Sequence, residues 1–558
     1  MNVDTLLIDL PAGAHPWRLP TLTDLGAHQQ APARLLAVLE RQRPAVVVMS
    51  AEQLERLLDF PALALSDLSH LEQLVFVSER PGDWQLAERA AAQLDCHVQG
   101  FTEEGRDLAD LKREQQRWCE RALGHPQVSA VALHGQTLFA VPQRCEATAV
   151  DDHLDATEAA VNQQFSVTQL NQAVQLNQRL SHAALLSMLN GLEQCGLLPA
   201  PLNDVAQSLA NAGIAPGHRP LIARWLDVLH TQQLLQRKGD HLYPSLDASA
   251  WSTATLEDLW AQLSLDWAQN TGGSTTLDYA RDNARQLPAL MRGECAAVHL
   301  LFPQGRTDRA AALYRERLAA QYQHRSVAHW VGAWAARQPT DAPLRVLEVG
   351  AGTGSTTQAV LPALANVAVD YLCTDVSRYF SEQAAERLHA WPWVRHGVFD
   401  IDRPALAQGY HTQNWDLIVA GGVLNAARDT ERSLAILLTL LRPGGWLVFS
   451  EPTQEEFWVM ASQAFMLNQA SDERALSSCT FLDLNQWQGA LARAGFQGNR
   501  SLPAAHHPLA RLGHRVFVAQ VPEQRLSRAA LAAHLEHSDL QLELLDRLPD
   551  LPTAKDLP

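Results

Sequence analysis

The sequence predicts an α/β fold built on a doubly wound parallel sheet, and three observations predict it. Residues 341–521 alternate apolar strand-like runs with helix-patterned stretches. One run, Leu344–Val349, feeds the glycine-rich turn Gly350-Ala-Gly-Thr-Gly354, and a helix pattern follows from Gln358. Two further runs carry an acid where the strand should end, Asp375 and Glu451.

The first strand owes its burial to Leu344, Val346, Leu347 and Val349. Gly350, Gly352 and Gly354 lack the Cβ atoms that would keep backbone from a ligand. The helix N-terminus behind them offers N–H groups with no intrahelical partner. A dinucleotide enzyme would space its glycines G-x-G-x-x-G. Here the spacing is G-x-G-x-G, with Glu348 two residues before the first glycine. A carboxylate there repels a pyrophosphate and suits a cationic amino-acid group. The second strand, Val367–Cys373, runs into Thr374-Asp375-Val376-Ser377. Asp375 is placed to accept hydrogen bonds from both hydroxyls of a ribose. Its other reading is a cap for the Ser377–Leu388 helix pattern, for which Ser377 is equally suited; position relative to the glycine turn favours the ribose. Gly397-Val-Phe-Asp-Ile-Asp402 closes the third strand and holds Asp400. Trp415–Ala420 is the fourth strand, and the loop Gly421–Asp429 lies at the carboxyl end of the sheet, where ligands bind. A helix end and Pro-Gly-Gly turn then lead to a fifth strand tipped by Glu451, a carboxylate that is either structural or catalytic.

Composition bounds the rest. The 558 residues are 47% hydrophobic, enough for three or four domains with ample core. The formal charge of −17, from 44 basic and 61 acidic residues, argues against nonspecific nucleic-acid binding. Cys96, Cys119, Cys145, Cys195, Cys295, Cys373 and Cys479 never form C-x-x-C, so free thiols are expected and no metal site. No run approaches the roughly 18 apolar residues of a membrane span. The first ten residues carry acids where a signal peptide wants bases. These features predict a cytoplasmic protein without membrane or nucleic-acid partners.

Along the chain four segments are expected: an α/β domain at 1–148, a helical lid or substrate subdomain at 149–340, the core at 341–521 and a tail at 522–558. In the first, strand-like runs are Thr5–Ile8, Ala45–Met49, Leu74–Val77, Val128–Leu133 and Leu138–Val141, with helical patterns at Ala33–Arg41, Ala51–Leu58 and Trp84–Leu94. Residues 151–250 read as mostly helical, and a helical tail is expected from Ser527 to about Leu545.

Taken together, the strand, Glu348, the glycine turn and the elements behind them resemble class I methyltransferases, which bind S-adenosylmethionine (SAM). Residues 215–520 further resemble the methyltransferase domains of polyketide and nonribosomal-peptide synthetases, through Arg224-Trp-Leu-Asp-Val-Leu229, Leu287-Pro-Ala-Leu-Met-Arg-Gly-Glu294, Leu300-Leu-Phe-Pro303, the glycine turn and Leu441-Arg-Pro-Gly-Gly445. The resemblance implies a Rossmann-like core behind a helical lid. It implies SAM contacts at Glu348, Gly350, Gly352, Gly354, Asp375 and, for the adenine amino group, Asp400. It implies an acyl or aminoacyl thioester on a carrier protein as substrate. Its loop after the fourth strand reads A-N-V-L-H-A, and the histidine, paired with a glutamate at the fifth strand tip, is the base that prepares a carbon acceptor. Here Asn425 stands at the histidine, Gly422 at the asparagine and Ala427 at the threonine that often follows, while Glu451 is kept. An amide cannot accept a proton as an imidazole can. Asn425 and Glu451 are nonetheless the catalytic candidates. Tyr322 and Trp330, late in the lid, either wall the pocket or belong to the core.

The flanks resemble an acyl- or aminoacyl-adenylating domain. Arg43–Leu58 is similar to a core strand-helix unit, Val98–Glu104 to a Y-G-x-T-E loop (Thr102, Glu103), Gly105–Lys112 to a hinge, and Arg121–Val128 to the start of the small subdomain. Leu545–Lys555 is similar to the closing lysine motif, with Ala554 at its glycine. The phosphate-binding loop is missing, so this part reads as a degenerate remnant interrupted by the methyltransferase, and Lys555 as a surface lysine. With no carrier serine motif, a carrier protein or synthetase module supplied in trans is expected, for which Arg113, Arg117 and Arg121 offer a basic helix face or simply a solvated one. The expected function is SAM-dependent methyl transfer to a carrier-bound intermediate of secondary metabolism, with a siderophore-type pathway as one setting. The alternatives are an inactive scaffold and thioester epimerisation with Glu451 as base.

Overall fold

The computed structural model describes residues 5–8, 31–78, 83–102, 105–134, 136–144, 153–339, 342–467, 470–477, 479–536 and 540–548. Cys145, Glu103, Ala554 and Lys555 lie outside the described residues. The chain forms two compact units, residues 1–143 with 528–558, and residues 144–527.

The larger unit holds a seven-stranded sheet: β1 (Leu344–Val349), β2 (Val369–Asp375), β3 (Val394–Val398), β4 (Trp415–Gly421), β5 (Leu441–Pro452), β6 (Gln497–Leu502) and β7 (His514–Gln520). The spatial order is 3-2-1-4-5-7-6. β1 to β5 run parallel, and β7 is antiparallel to both β5 and β6. Strands buried on both faces read as unbroken apolar runs, and β4 is buried from Trp415 to Ala420. One face of the sheet carries Leu347, Ile418 and Phe449, packed with Leu437 and Trp487; the other carries Val346, Leu417 and Val448. Chain order reverses between β1 and its neighbour β4, and such a switch opens a crevice beyond the carboxyl ends of the strands.

The helical segment covers that end. Its spine is Val167–Gln194, started by a capping box in which the Ser166 hydroxyl accepts from the Gln169 N–H and the Gln169 side chain accepts from the Ser166 N–H. Packed with it is Thr253–Thr271, through Leu256, Trp260, Leu263 and Trp267. The last helix, Leu318–Ala335, lays Val327, Val331 and Trp330 on the sheet, with the Trp330 ring 5.2 Å from that of Trp446. Trp330 is therefore core. Where this helix starts, Arg317 pairs with Glu456 at 2.6 Å, both under a tenth exposed. Arg317 and His514 hold the Glu456 carboxyl far below its usual range despite its burial.

In the smaller unit, Thr5–Ile8, Val46–Ser50, Gln73–Ser78 and His97–Thr102 form a parallel sheet in that order. The last strand lies where the sequence resembled a loop; its backbone pairs with Gln73–Ser78. The tail also departs from expectation. Among its described residues it is helical only over Arg528–His534, and Gln541–Leu544 is a strand parallel to Thr137–Pro142. The waiting edge of the Val128–Pro142 hairpin decides this, and it buries Leu544 and Glu543, the latter paired with Arg528 at 2.6 Å. The middle of the lid corrects a second expectation of helix. Leu235–Lys238 and His241–Pro244 form a hairpin across Gly239-Asp240, joined by Ala200–Pro201; a two-residue Gly-Asp link is a hairpin signal.

Candidate functional site

A cleft of about 350 Å³ lies at the switch point, a size typical of small-molecule sites. Loops after four adjacent strands line it: Gly350–Thr353, Ser355 and Thr356 after β1, Asp375 and Val376 after β2, Phe399–Asp402 after β3, and Gly421–Val423 and Ala426 after β4. Tyr314 and His324 complete it from the helical segment.

The glycine turn is built for close approach. Gly350, Gly352 and Gly354 hold φ of 65°, 52° and 72°, a region that side chains disfavour. A Cβ on Gly350 would overlap the Val423 side chain, whereas one on Gly352 would meet nothing nearer than the Gly350 carbonyl at 3.9 Å. Gly350 thus lets the loops after β1 and β4 pack together, and Gly352 keeps its backbone open. Gly354 caps the following helix, outside the residues that line the cleft.

Asp375 ties the second loop to the first. Its Oδ2 accepts from the Gly352 N–H at 2.9 Å and its Oδ1 from the Ser377 N–H at 2.9 Å. Each carboxylate oxygen retains a further lone pair, and the residue faces the cleft. Burial nevertheless pushes its pKa up, against the pull of those two N–H groups. Asp400 also lines the cleft; its Oδ1 accepts from the Asp402 N–H at 2.9 Å.

Glu348 sits below the turn, outside the residues lining the cleft. It is 1% exposed, with Thr357 Oγ1 donating to one carboxylate oxygen at 2.9 Å and the Tyr371 hydroxyl to the other at 2.8 Å. Burial pushes its carboxyl up to about 7. Direct contact with a ligand's cation is thereby corrected: Glu348 braces the turn from beneath. Tyr322 is corrected too. It is 1% exposed among Val161, Leu170, Leu509 and Leu512, its ring 5.1 Å from His507 and its hydroxyl reaching Glu158 at 3.4 Å. The lid aromatic at the cleft is Tyr314.

The two catalytic candidates meet each other but do not line the cleft. Glu451 is fully buried. The Leu424 and Asn425 N–H groups donate to its Oε1 at 2.6 and 3.3 Å, and the Asn425 side-chain amide donates to Oε2. Burial outweighs these donors and pushes the carboxyl up to about 8. The Asn425 Oδ1 is sealed from solvent without a hydrogen-bond partner. Arg474 donates to the carbonyls of Asn425 and Ala427, locking the loop from outside.

Two residues missed in the sequence hold the cleft wall. His324 Nε2 faces the Tyr314 carbonyl at 2.7 Å, so that nitrogen carries the proton, and Nδ1 accepts from Thr356 Oγ1 at 3.3 Å. Burial lowers the His324 pKa and favours the neutral ring this arrangement needs. Arg315 donates to Ser355 Oγ at 3.0 Å and to the Thr353 carbonyl at 2.9 Å, fastening the lid to the glycine turn. Nothing in the sequence singled out Arg315 or His324.

Residues 347–447 match the family model described as a methyltransferase domain. Over 385 residues the chain is 33% identical to pyochelin synthetase PchF of Pseudomonas aeruginosa, covering 66% of this chain and 21% of the relative. It is 32% identical over 295 residues to polyketide synthase ThaG of Burkholderia thailandensis, covering 51% of this chain and 5% of the relative. The chain thus spans about a fifth or less of these relatives. Among solved structures it is similar to the CurJ carbon methyltransferase, with a TM-score of 0.60 and 25% identity over 66% of this chain and 97% of that one. The DszA carbon methyltransferase shares the fold, at a TM-score of 0.55 and 23% identity over 70% and 99%. A segment of this chain is thus similar to a methyltransferase domain, and the relatives it matches by sequence are polyketide and peptide synthetases.

Proposed function

We propose that the protein is a cytoplasmic SAM-dependent methyltransferase that acts on a thioester held on a carrier protein or synthetase module supplied in trans, in thiotemplated, siderophore-type biosynthesis. The observation that carries the reading is the Asp375–Gly352 pair: an acceptor carboxylate and an open glycine backbone, on adjacent strand tips, share one cleft. The set fits SAM. Asp375 supplies acceptors for ribose hydroxyls, Asp400 an acceptor for an adenine amino group, and the glycine turn room for the amino-acid arm. When bound, SAM supplies an electrophilic methyl group. The chain's own residues orient the two reactants: Arg315 and His324 hold the lid on the turn, and Tyr314 and Val423 wall the acceptor side. The similarity to a pyochelin synthetase supports the siderophore-type setting. The adenylation-like reading of residues 1–148 and 522–558 belongs to this proposal too; a tail strand that returns to the Val128–Pro142 hairpin supports a methyltransferase inserted in an older fold.

The test is calorimetric titration with SAM, with Asp375→Ala as control. Micromolar binding that weakens about 30-fold in the variant supports the reading. No binding by the wild type sinks it.

A second reading rests on Asn425. With Glu451 sealed by three donors and neither residue lining the cleft, the protein is a domain that keeps the fold and serves assembly. Transfer of label from methyl-labelled SAM to a carrier-bound acceptor separates the two. Solvent-deuterium uptake without methyl transfer would instead mark epimerisation.

A further inference from the structure

Three exposed arginines follow the loops that line the cleft, in a chain whose charge is −17. Arg403 follows the third-strand loop and Arg428 the fourth-strand loop; both are exposed. They are neighbours, because the Arg428 N–H donates at 2.9 Å to Oδ1 of Asp402, the residue before Arg403. Neither side chain has an ion-pair or hydrogen-bond partner among the described residues. Arg378, three residues beyond Asp375, is likewise exposed and unpartnered. The carboxylates of this rim are engaged: Asp375 and Asp402 as above, Asp429 by the Arg432 N–H at 3.0 Å, and Glu431 by Arg493 at 2.6 Å. Arginines elsewhere are commonly paired, as Arg285 is with Glu257 and Arg395 with Asp370. Beside these free cations the mouth exposes apolar surface, with Val376 63% and Tyr314 40% exposed.

We propose that Arg403 and Arg428 bind the phosphate of the phosphopantetheine arm that brings the acceptor into the cleft. This rests on the carrier-bound reading above and adds to it the place where the arm is held. The guanidinium fork matches a phosphate's oxygens and is less strongly hydrated than an ammonium. A phosphate between two free guanidiniums satisfies charge that the protein leaves open, while the apolar mouth suits the gem-dimethyl part of the arm.

The experiment titrates the full chain with 4′-phosphopantetheine, with pantetheine, which lacks the phosphate, and with inorganic phosphate, each in the wild type and in Arg403→Ser/Arg428→Ser. The expected result is that phosphopantetheine binds about tenfold tighter than pantetheine and that the ratio falls to near one in the double variant. Inorganic phosphate should bind more weakly than phosphopantetheine. Equal binding of the two arms, a ratio unchanged in the variant, or phosphate alone binding as tightly as the arm would each overturn the proposal. A parallel titration with SAM keeps the two readings apart: loss of SAM binding by the wild type counts against the methyltransferase, whereas loss of phosphate discrimination with SAM binding intact counts against the rim alone.

Discussion

The two halves of the cleft are finished differently. On the side of β1 to β3, polar groups face inward with capacity to spare: Asp375 spends one hydrogen bond per oxygen, and Gly352, which has no side chain, leaves open space beside its backbone. On the side of β4 and β5, the carboxylate is closed. Glu451 takes donors from Leu424 and Asn425 and lies out of the cleft, while Arg474 clamps the loop. The lesson is that ligand binding and proton transfer place opposite demands on a site. Binding needs open valences on a rigid frame. A base needs an acceptor with access to its proton, and that access is missing where Asn425 stands.

The largest effect should come from the frame. Gly350→Ala drives a Cβ into Val423 and places a side chain at φ 65°. It should destabilise the protein by about 3 kcal/mol, read by urea unfolding. Gly352→Ala faces open space, so its backbone strain should cost only about 1 kcal/mol, while its methyl group weakens SAM binding. Equal stability losses in the two variants would erase the distinction between frame and ligand surface. Next comes Asp375→Ala, which removes an acceptor from the cleft and frees the Gly352 N–H. SAM affinity should fall by about 30-fold in calorimetry; an unchanged affinity would move the ribose site elsewhere.

The closed half can be tested through pH. Glu451 is held up to about 8, against 4.5 as its ordinary value. Below about pH 4.5 the folded and unfolded chains both keep this proton, and the group is neutral in its effect. Between 4.5 and 8 the unfolded chain loses the proton while the folded chain retains it, so stability drains as pH rises. Glu451→Gln lacks this cost. Its stability relative to wild type should improve by about 3–4 kcal/mol from pH 5 to pH 8, measured by denaturant titration at each pH. Glu348, still present in both proteins, cancels in the difference. A flat difference would show that the carboxylate is ionised and stabilised by its donors.

Much of the core was legible because its signals are local. The apolar run Leu344–Val349 leads straight into the glycine turn, and the structure lines the cleft with Gly350 and Gly352 of that turn and with Asp375 at the tip of the next strand. The lid contributions were hidden, since His324 and Arg315 act by reaching residues some 30 to 40 positions away, Thr356, Thr353 and Ser355. The tail strand was hidden for a similar reason: Gln541–Leu544 reads as helix until an edge about 400 residues earlier supplies its partners. Of the two readings of Arg113, Arg117 and Arg121, the pairing of Arg121 with Glu536 at 2.6 Å and of Arg113 with Asp110 favours the solvated helix face.

Tyr322 sharpens the comparison at its weakest point, where a residue chosen by position alone falls on the wrong side of a helix. The Leu318–Ala335 helix presents His324 to the cleft, and two residues earlier it turns Tyr322 into the cluster around Leu170 and Leu512. Removing the hydroxyl in Tyr322→Phe gives up a 3.4 Å hydrogen bond to Glu158, which also accepts the Ala504 N–H at 2.7 Å. The ring and its packing stay in place. Stability should fall by no more than about 1 kcal/mol, and SAM affinity should stay within about twofold of wild type. The matching change at the cleft, Tyr314→Ala, should move ligand affinity more than Tyr322→Phe does. Reversal of that order in side-by-side titrations would put the lid's contribution on the other face of the helix.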